Sequence, residues 1–564
     1  MFVWIFIVFE SYFQNQIIIL NFHSFLKAKI MFTKKVFLMS ALAVILLSIL
    51  CANVIINKPN MKPDDKPLHF NSSNDYKKEW ATIDSLDSKG LPKSALEIVD
   101  KIYKRAFAEN NATQVIKARI YQLKYRNMIE EDAFESILND LNKDAKIMKF
   151  PFSSIFHSIS AEMYWMYYQN NRWKFNSRSE TVNFQNDDIK TWDLNKLADA
   201  CIKHFTQSLE NEDSLKRTPI SELKTIIESG VGTDGLRPTL YDFLAFRAIN
   251  FFSNKEIALS KPADYFELKE DFYFADASEF MNTKINTSDT LSLQFYGIKV
   301  IQKLLQFHSQ DVNPEAFIDA DLVRLKFVYD NSVNSQKDDL YLNTLKNLQD
   351  KYNTNQFSTE VEYQRSLTFN NLSSNYVAND STTIKYKDYK IKAMELCNNA
   401  INKFPTSSGA LKCKNLKYQL ENKNLSFNIE EVQIPNKTFS TLINYQNISK
   451  VWFKVASISL DDYEKVCKNK YGTELAEKLL KSSVTIKNYE ISLPYKLDYN
   501  NHSTEILLDA LPYGHYILFI SQNKDFNFDN ELLSYKDFMV SDISYLQRRL
   551  TNGSYDIFVT NRNS

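Results

Sequence analysis

ALKCKNLKYQLENKNLSFNIEEVQI, residues 410–434, changes its hydrophobic period part-way along. Up to Leu420 the apolar residues fall at Ala410, Cys413, Leu416 and Leu420, a spacing of three and four that puts them on one helix face. From Leu425 the period drops to two, beginning with Phe427–Ile434. A helical part therefore precedes this point and a strand-rich part follows it.

Upstream, helical spacing runs back to about Lys77. After Pro92, a favoured first helical residue, apolar side chains recur at Ala95, Leu96, Val99, Ile102, Tyr103, Ala106 and Phe107. Glu109-Asn110-Asn111 ends that helix, and Ala112, Val115, Ala118 and Tyr121 or Gln122 begin another. Two helices joined by a short turn make a tetratricopeptide-type hairpin of about 34 residues. The plan returns before the period change: Ile391, Met394, Cys397 and Ile401 line one helix, Phe404-Pro405 turns, and Ala410 to Leu420 line the next. PTLYDFLAFRAINFF, Pro238–Phe252, is apolar almost all round and predicts a central helix. The repeats are degenerate, so residues 76–424 read as an α-helical solenoid and not as a regular array.

Downstream, Phe439–Tyr445, Val451–Ser457, Thr504–Asp509 and Tyr516–Ser521 have strand length and are bounded by turn residues. Asp461–Ser482 interrupts them with a helix-like stretch. Residues 425–522 fit one antiparallel β-sandwich. Beyond a polar connection at Asn523–Asn530, Phe538–Ile543 and Tyr555–Thr560 are expected to open a second sandwich, so 523–564 reads as a connection and an incomplete domain. Two strands are unstable alone; the expectation is a chain that naturally continues, or a truncated gene.

The N-terminal segment reads as export machinery. Lys34, Lys35 and the apolar run Val36–Leu50 form a signal beginning at Met31, so 31–52 is a signal peptide or membrane anchor and 1–30 an upstream extension. Cys51 follows directly and is a candidate for lipidation, although Leu50 is larger than the residue such signals place there. Lipidation, simple cleavage and an uncleaved anchor all remain open. Residues 53–75, rich in Pro, Lys and Asn, form a linker. The expected location is the cell envelope: the periplasm, with membrane association through the anchor or a lipid, including an outer-membrane lipoprotein.

With 564 residues, about three to four domains are expected. Apolar residues at 44% and aromatics at 14% supply packed cores, which excludes a disordered chain. Lys+Arg and Asp+Glu balance at 68 each, without the basic footprint of a nucleic-acid binder. Gly230, Gly232 and Gly235 match G-x-G-x-x-G, but a helical pattern precedes them and Leu236-Arg237-Pro238 follows, whereas dinucleotide binding needs a strand before and a helix after. His23, His69, His157, His204, His308, His502 and His515 show no metal-ligand spacing, and no cofactor is expected. No nucleophile stands in a catalytic context, and the expected protein is not an enzyme. The run Tyr164–Tyr168 with Arg172–Phe175 reads as inter-helix packing before it reads as a stacking platform for sugars or peptides.

Cys397 and Cys413 each lie eight residues from Pro405. If the chain folds back there, they come level on facing helices, where either a disulfide or two buried thiols fits; an oxidising envelope favours the bridge. Cys201 and Cys467 are expected to be free, buried and inert.

Several strings then carry a resemblance: Trp80–Leu86 with Leu91–Ile102, Ala161–Trp173, Thr191–Leu194, Arg237–Phe252, Leu396–Leu416, Leu442–Val455 and Leu511–Ser521. From about residue 76 to its end the chain resembles the N-terminal part of large bacterial envelope proteins of the alpha-2-macroglobulin family. The resemblance implies macroglobulin-like β-sandwich domains and a role in protease inhibition by entrapment, with proteases or envelope proteins as partners. The family's thioester needs C-x-E-Q, and none of Cys51, Cys201, Cys397, Cys413 and Cys467 is followed by it. No bait segment is identifiable, so the expectation for this chain alone is inactivity. The alternative is a helical-repeat envelope lipoprotein binding glycan or protein ligands, similar to SusD-type proteins or a plain scaffold. The switch to strands after Leu425 counts against it.

Overall fold

A computed structural model describes residues 76–130, 133–176, 188–224, 226–227, 235–257, 262–527 and 532–562. The signal, Cys51, the linker, Gly230 and Gly232 lie outside the described residues. Helices fill the first part of the chain and mainly antiparallel sheets the last; seventeen α-helices and ten strands occur among the described residues. The chain divides into two compact units, Met1–Asn347 and Leu348–Ser564.

In the first unit α1 (Lys77–Ser88), α2 (Pro92–Ala108), α3 (Ala112–Ile129), α4 (Phe134–Ile147), α5 (Phe152–Asn176), α6 (Leu194–Ser208), α7 (Glu212–Arg217) and α8 (Leu240–Phe252) follow one another. The predicted stripe of α2 is the buried one: Ala95, Val99, Ile102 and Ala106 face inward. Asn111 caps α3 by accepting from the Gln114 amide, and α2 packs on α3 as the hairpin reading requires. The expected central helix is α8, buried on nearly every side, with Phe251 stacked on Phe205 at 5.0 Å and Phe252 on Tyr296 at 5.8 Å. The run Tyr164–Tyr168 is packing material: Tyr164, Met166 and Tyr168 are buried, and Trp165 meets Phe251 at 5.7 Å. Gly235 precedes α8 by five residues. Then come α9 (Ala277–Asn282), α10 (Leu293–His308), α11 (Glu315–Asn331) and α12 (Lys337–Lys351), whose last residues, from Leu348, belong to the second unit.

The second unit holds α13 (Ser358–Leu372), α14 (Tyr389–Lys403) and α15 (Ser408–Glu421), then β1 (Asn424–Asn428), β2 (Val432–Gln433), β3 (Phe439–Gln446) and β4 (Lys450–Ser457). Next are α16 (Leu460–Cys467), α17 (Gly472–Ser482), β5 (Val484–Ser492), β6 (His502–Leu508), β7 (Gly514–Ser521), β8 (Leu533–Val540), β9 (Ile543–Arg549) and β10 (Tyr555–Asn561). One sheet has the order β1–β3–β6, a second β2–β8–β7–β4–β5 with only the short β2 parallel, and β9–β10 form a third. The first two enclose one core: Ile443 and Tyr445 from β3 and Leu508 from β6 meet Val451 and Phe453 from β4, Leu518 and Ile520 from β7 and Phe538 from β8. The other face of β7, Ile517 and Phe519, packs with Leu479 of α17. Both faces of β7 are thus covered, and its run GHYILFIS carries apolar residues on each.

Three expectations are corrected. Residues 425–522 do not complete the two-sheet body, because β8 pairs along its whole length with β7, from Gly514↔Val540 to Ser521↔Leu533. The strand expected at Phe538–Ile543 is therefore two, β8 closing this sheet and β9 opening the hairpin. The compact units also part at Asn347/Leu348 and not at 424/425. The reason is bonding between α14–α15 and the sheets: Asn447 Nδ2 donates to the carbonyls of Leu420 (2.7 Å) and Asn422 (2.9 Å), and Lys390 Nζ to that of Tyr499 (2.9 Å). β5 had no counterpart in the reading. Its alternation slips because Ile486 is bulged out between Val455↔Lys487 and Ala456↔Thr485.

α13 and α15 touch backbone to backbone at Gly409, where a Cβ would overlap the main chain of Thr359 and Glu360. Gly409→Ala should destabilise the second unit by about 1–3 kcal/mol, because no side chain can move aside. Urea unfolding with an unchanged midpoint would count against that close approach. Amide exchange should also divide the C-terminal strands, with β7 and β8 slow and β9–β10 fast, since among the described residues the hairpin strands pair in a sheet only with each other. Equal protection would mean that the hairpin is covered.

Candidate functional site

Cys397 and Cys413, expected to lie level across the turn, are brought together by α14 and α15. Both are fully buried in one cluster with Met394, Leu416 and Leu420, and both stand as free thiols, as do Cys201, which is buried as expected, and Cys467, which is only half-buried. Their side chains are hydrogen-bonded to each other. Cys51 lies outside the described residues.

Three further polar clusters had no place in the sequence reading. The first sits at the start of α8. Thr239 caps the helix, and Asp242 Oδ2 accepts from the Thr239 amide at 2.9 Å and its hydroxyl at 2.8 Å. His308, at the end of α10, directs Nε2 to Asp242 Oδ1 at 2.7 Å and Nδ1 to Asp311 Oδ2 at 2.7 Å. Asp242 is 0% exposed and His308 2%. Burial opposes charge on His308, but the hydrogen bond and charge of Asp242, then those of Asp311, prevail and hold it above its ordinary value of 6.5. With both ring nitrogens donating to carboxylates, this imidazole has no lone pair with which to act as a base toward Thr239. The T-x-x-D spacing of Thr239 and Asp242 is the signal that could have marked half of the cluster.

In the second cluster His157 of α5 and His204 of α6 are hydrogen-bonded to each other, Nδ1 to Nδ1 at 3.0 Å. Burial, then Lys146 and Lys203, depress His157 to about 4; burial, then His157 and the same lysines, depress His204 to about 3. Both imidazoles are neutral near pH 7. Tyr164 stacks on Trp192 at 5.4 Å beside them, on a cleft of about 20 Å³ lined also by Glu135, Asn139 and Asp188. That is room for about one water. In the third, Asp537 of β8 accepts from Tyr463 of α16 at 2.9 Å and meets His515 Nε2 of β7 at 3.0 Å. This fastens the α16–α17 cover to the sheet.

Among the described residues no three His, Cys, Asp or Glu side chains form a group able to hold a metal ion, and no helix is long and apolar enough to cross a membrane. The other conspicuous surface is the β9–β10 hairpin. Ile543, Tyr545, Tyr555, Ile557 and Val559 fall on one face and are each more than half exposed. Tyr513 OH donates to Asp542 at the hairpin's base at 2.9 Å. No protein-family model matches the chain, and no curated protein matches it.

The histidines make the first unit sensitive to pH in two opposite directions. His157 and His204 have folded values below the unfolded one of about 6.5. The unfolded chain then binds more protons, and stability falls as pH drops from 6.5 toward 4 and 3. His308 is raised, so its contribution is fully present below about 6.5 and is lost as pH rises through its folded value. Thermal unfolding against pH should show a maximum near 6.5, with His157→Gln flattening the acid limb and His308→Gln the alkaline limb. Variants that merely shift the whole curve down would refute the assignment.

Proposed function

We propose that this chain is a non-enzymatic N-terminal portion of an alpha-2-macroglobulin-like envelope protein. Its helical part is a degenerate tetratricopeptide-like solenoid, and Asn424–Val540 is a macroglobulin-type β-sandwich. The observation that carries the reading is the order of parts: helical hairpins, then sheets of three and five strands on one shared core, then a β-hairpin. It is the order that the resemblance implies. The functional role on this reading is binding within a protease-trapping protein, with proteases or envelope proteins as partners and a tether at the N-terminus. Covalent capture is not assigned to this chain, since none of its five cysteines begins C-x-E-Q.

The chain incubated with active endopeptidases should leave their hydrolysis of protein substrates within about twofold of the control, with no adduct surviving boiling denaturant. Cross-linking in envelope fractions should instead yield protein neighbours. A covalent protease adduct would overturn the assignment of roles. Retention on immobilised polysaccharide, released by free oligosaccharide, would replace the reading with a glycan-binding one.

A further inference from the structure

The last helical hairpin encloses a chemistry that the proposed function does not use. α14 and α15 present Cys397 and Cys413 to each other inside a cluster closed by Ala393, Met394, Leu416 and Leu420. α13 supplies the third wall, with Tyr363 and Leu367 packed against the cluster. Both thiols are 0% exposed, so they are out of reach of any reagent while the hairpin is closed. We infer that Cys397 and Cys413 are a dithiol–disulfide site, oxidised by an external disulfide while the α14–α15 hairpin is open and then sealed inside it.

The two sulfurs are not equivalent. The Cys413 thiol donates to Cys397, which holds Cys397 below the ordinary thiol range against the opposing effect of burial; the Ser366 hydroxyl on α13 and the charge of Lys417 act in the same direction. Cys413 is driven up by that same hydrogen bond, by burial and by the carboxylates Glu362 and Glu360. Glu360 is itself paired with Lys412 Nζ at 2.7 Å. These differences belong to the closed hairpin; in the open one either cysteine can attack. The thiolate of one cysteine attacks one sulfur of the external disulfide, a mixed disulfide forms and one external thiolate leaves. The other cysteine, losing its proton to solvent, attacks the Sγ of the first, the internal bond forms and the second external thiolate leaves. Two cysteine thiols are oxidised and one external disulfide is reduced to two thiols.

Closing this bond ties the two helices whose ends hold the sheets, through Asn447 on the Leu420 and Asn422 carbonyls and Lys390 on that of Tyr499. The loop is short, about 15 residues, and its closure restricts the unfolded chain.

The full chain, unfolded in denaturant, is refolded in an oxidised/reduced glutathione buffer, unfolded again in the presence of an alkylating reagent and mapped by mass spectrometry without reduction. The expected product is a linked peptide pair containing Cys397 and Cys413, two hydrogens lighter than the separate thiols, with Cys201 and Cys467 alkylated. The bridged form should melt roughly 5–10 °C above the same protein held reduced. Reduced protein folded first and then given oxidised glutathione should form the bridge at least tenfold more slowly than protein refolding in it. Finding Cys397 and Cys413 both unlinked after refolding in oxidising buffer would overturn the inference, as would equal rates of bridging from folded and unfolded protein. Because wild-type chain is used throughout, failure of a variant to fold cannot decide the result.

Discussion

Strand β7 is the constraint on which the second unit depends. Its residues Gly514–Ser521 carry apolar side chains on both faces, so covering one face leaves the other in water. Leu518 and Ile520 are met by the opposing three-stranded sheet, and Ile517 and Phe519 by Leu479 on the helical insertion between β4 and β5. The insertion is therefore structural cover, and the Tyr463–Asp537–His515 cluster keeps it on the sheet. The opposing sheet reaches back through Asn447 to the end of α15, so the last helices fold with the strands.

In the first unit the equivalent burden falls on α8, whose apolar surface on all sides obliges other helices to surround it. Its N-terminus is consequently buried too, and an end with unpaired amides inside a core is costly. Thr239 and Asp242 satisfy those donors, and the carboxylate that does so then needs a cation, which His308 supplies. A titratable cluster with the composition of a catalytic site thus arises from helix capping. The His157–His204 pair has a similar origin, two imidazoles enclosed between α5 and α6 and kept neutral by burial.

Much of the fold was legible along the chain. The period change at Leu425 marks the passage from helix to strand, the stripes of α2, α14 and α15 point inward as spaced, and the even apolarity of Pro238–Phe252 marks its central place. The facing of Cys397 and Cys413 followed from their equal distances to Pro405, because a helical hairpin converts sequence symmetry into spatial register. β5 was illegible because a bulge at Ile486 breaks its alternation. The partners of Asp242 were illegible for a different reason: His308 lies 66 residues away, and local spacing carries no information about such a pairing.

By itself the sequence determined the local periods, the turns that end each element and the neutral charge balance of 68 against 68 that disfavours a nucleic-acid partner. These depend on side chains a few residues apart along one backbone. Tertiary structure alone decided that β8 belongs with β7, that α13–α15 belong with the sheets, and that β9–β10 present an apolar face. Each of those outcomes is a choice of partner among distant segments, set by which surfaces can cover one another and which buried polar atoms find a bond.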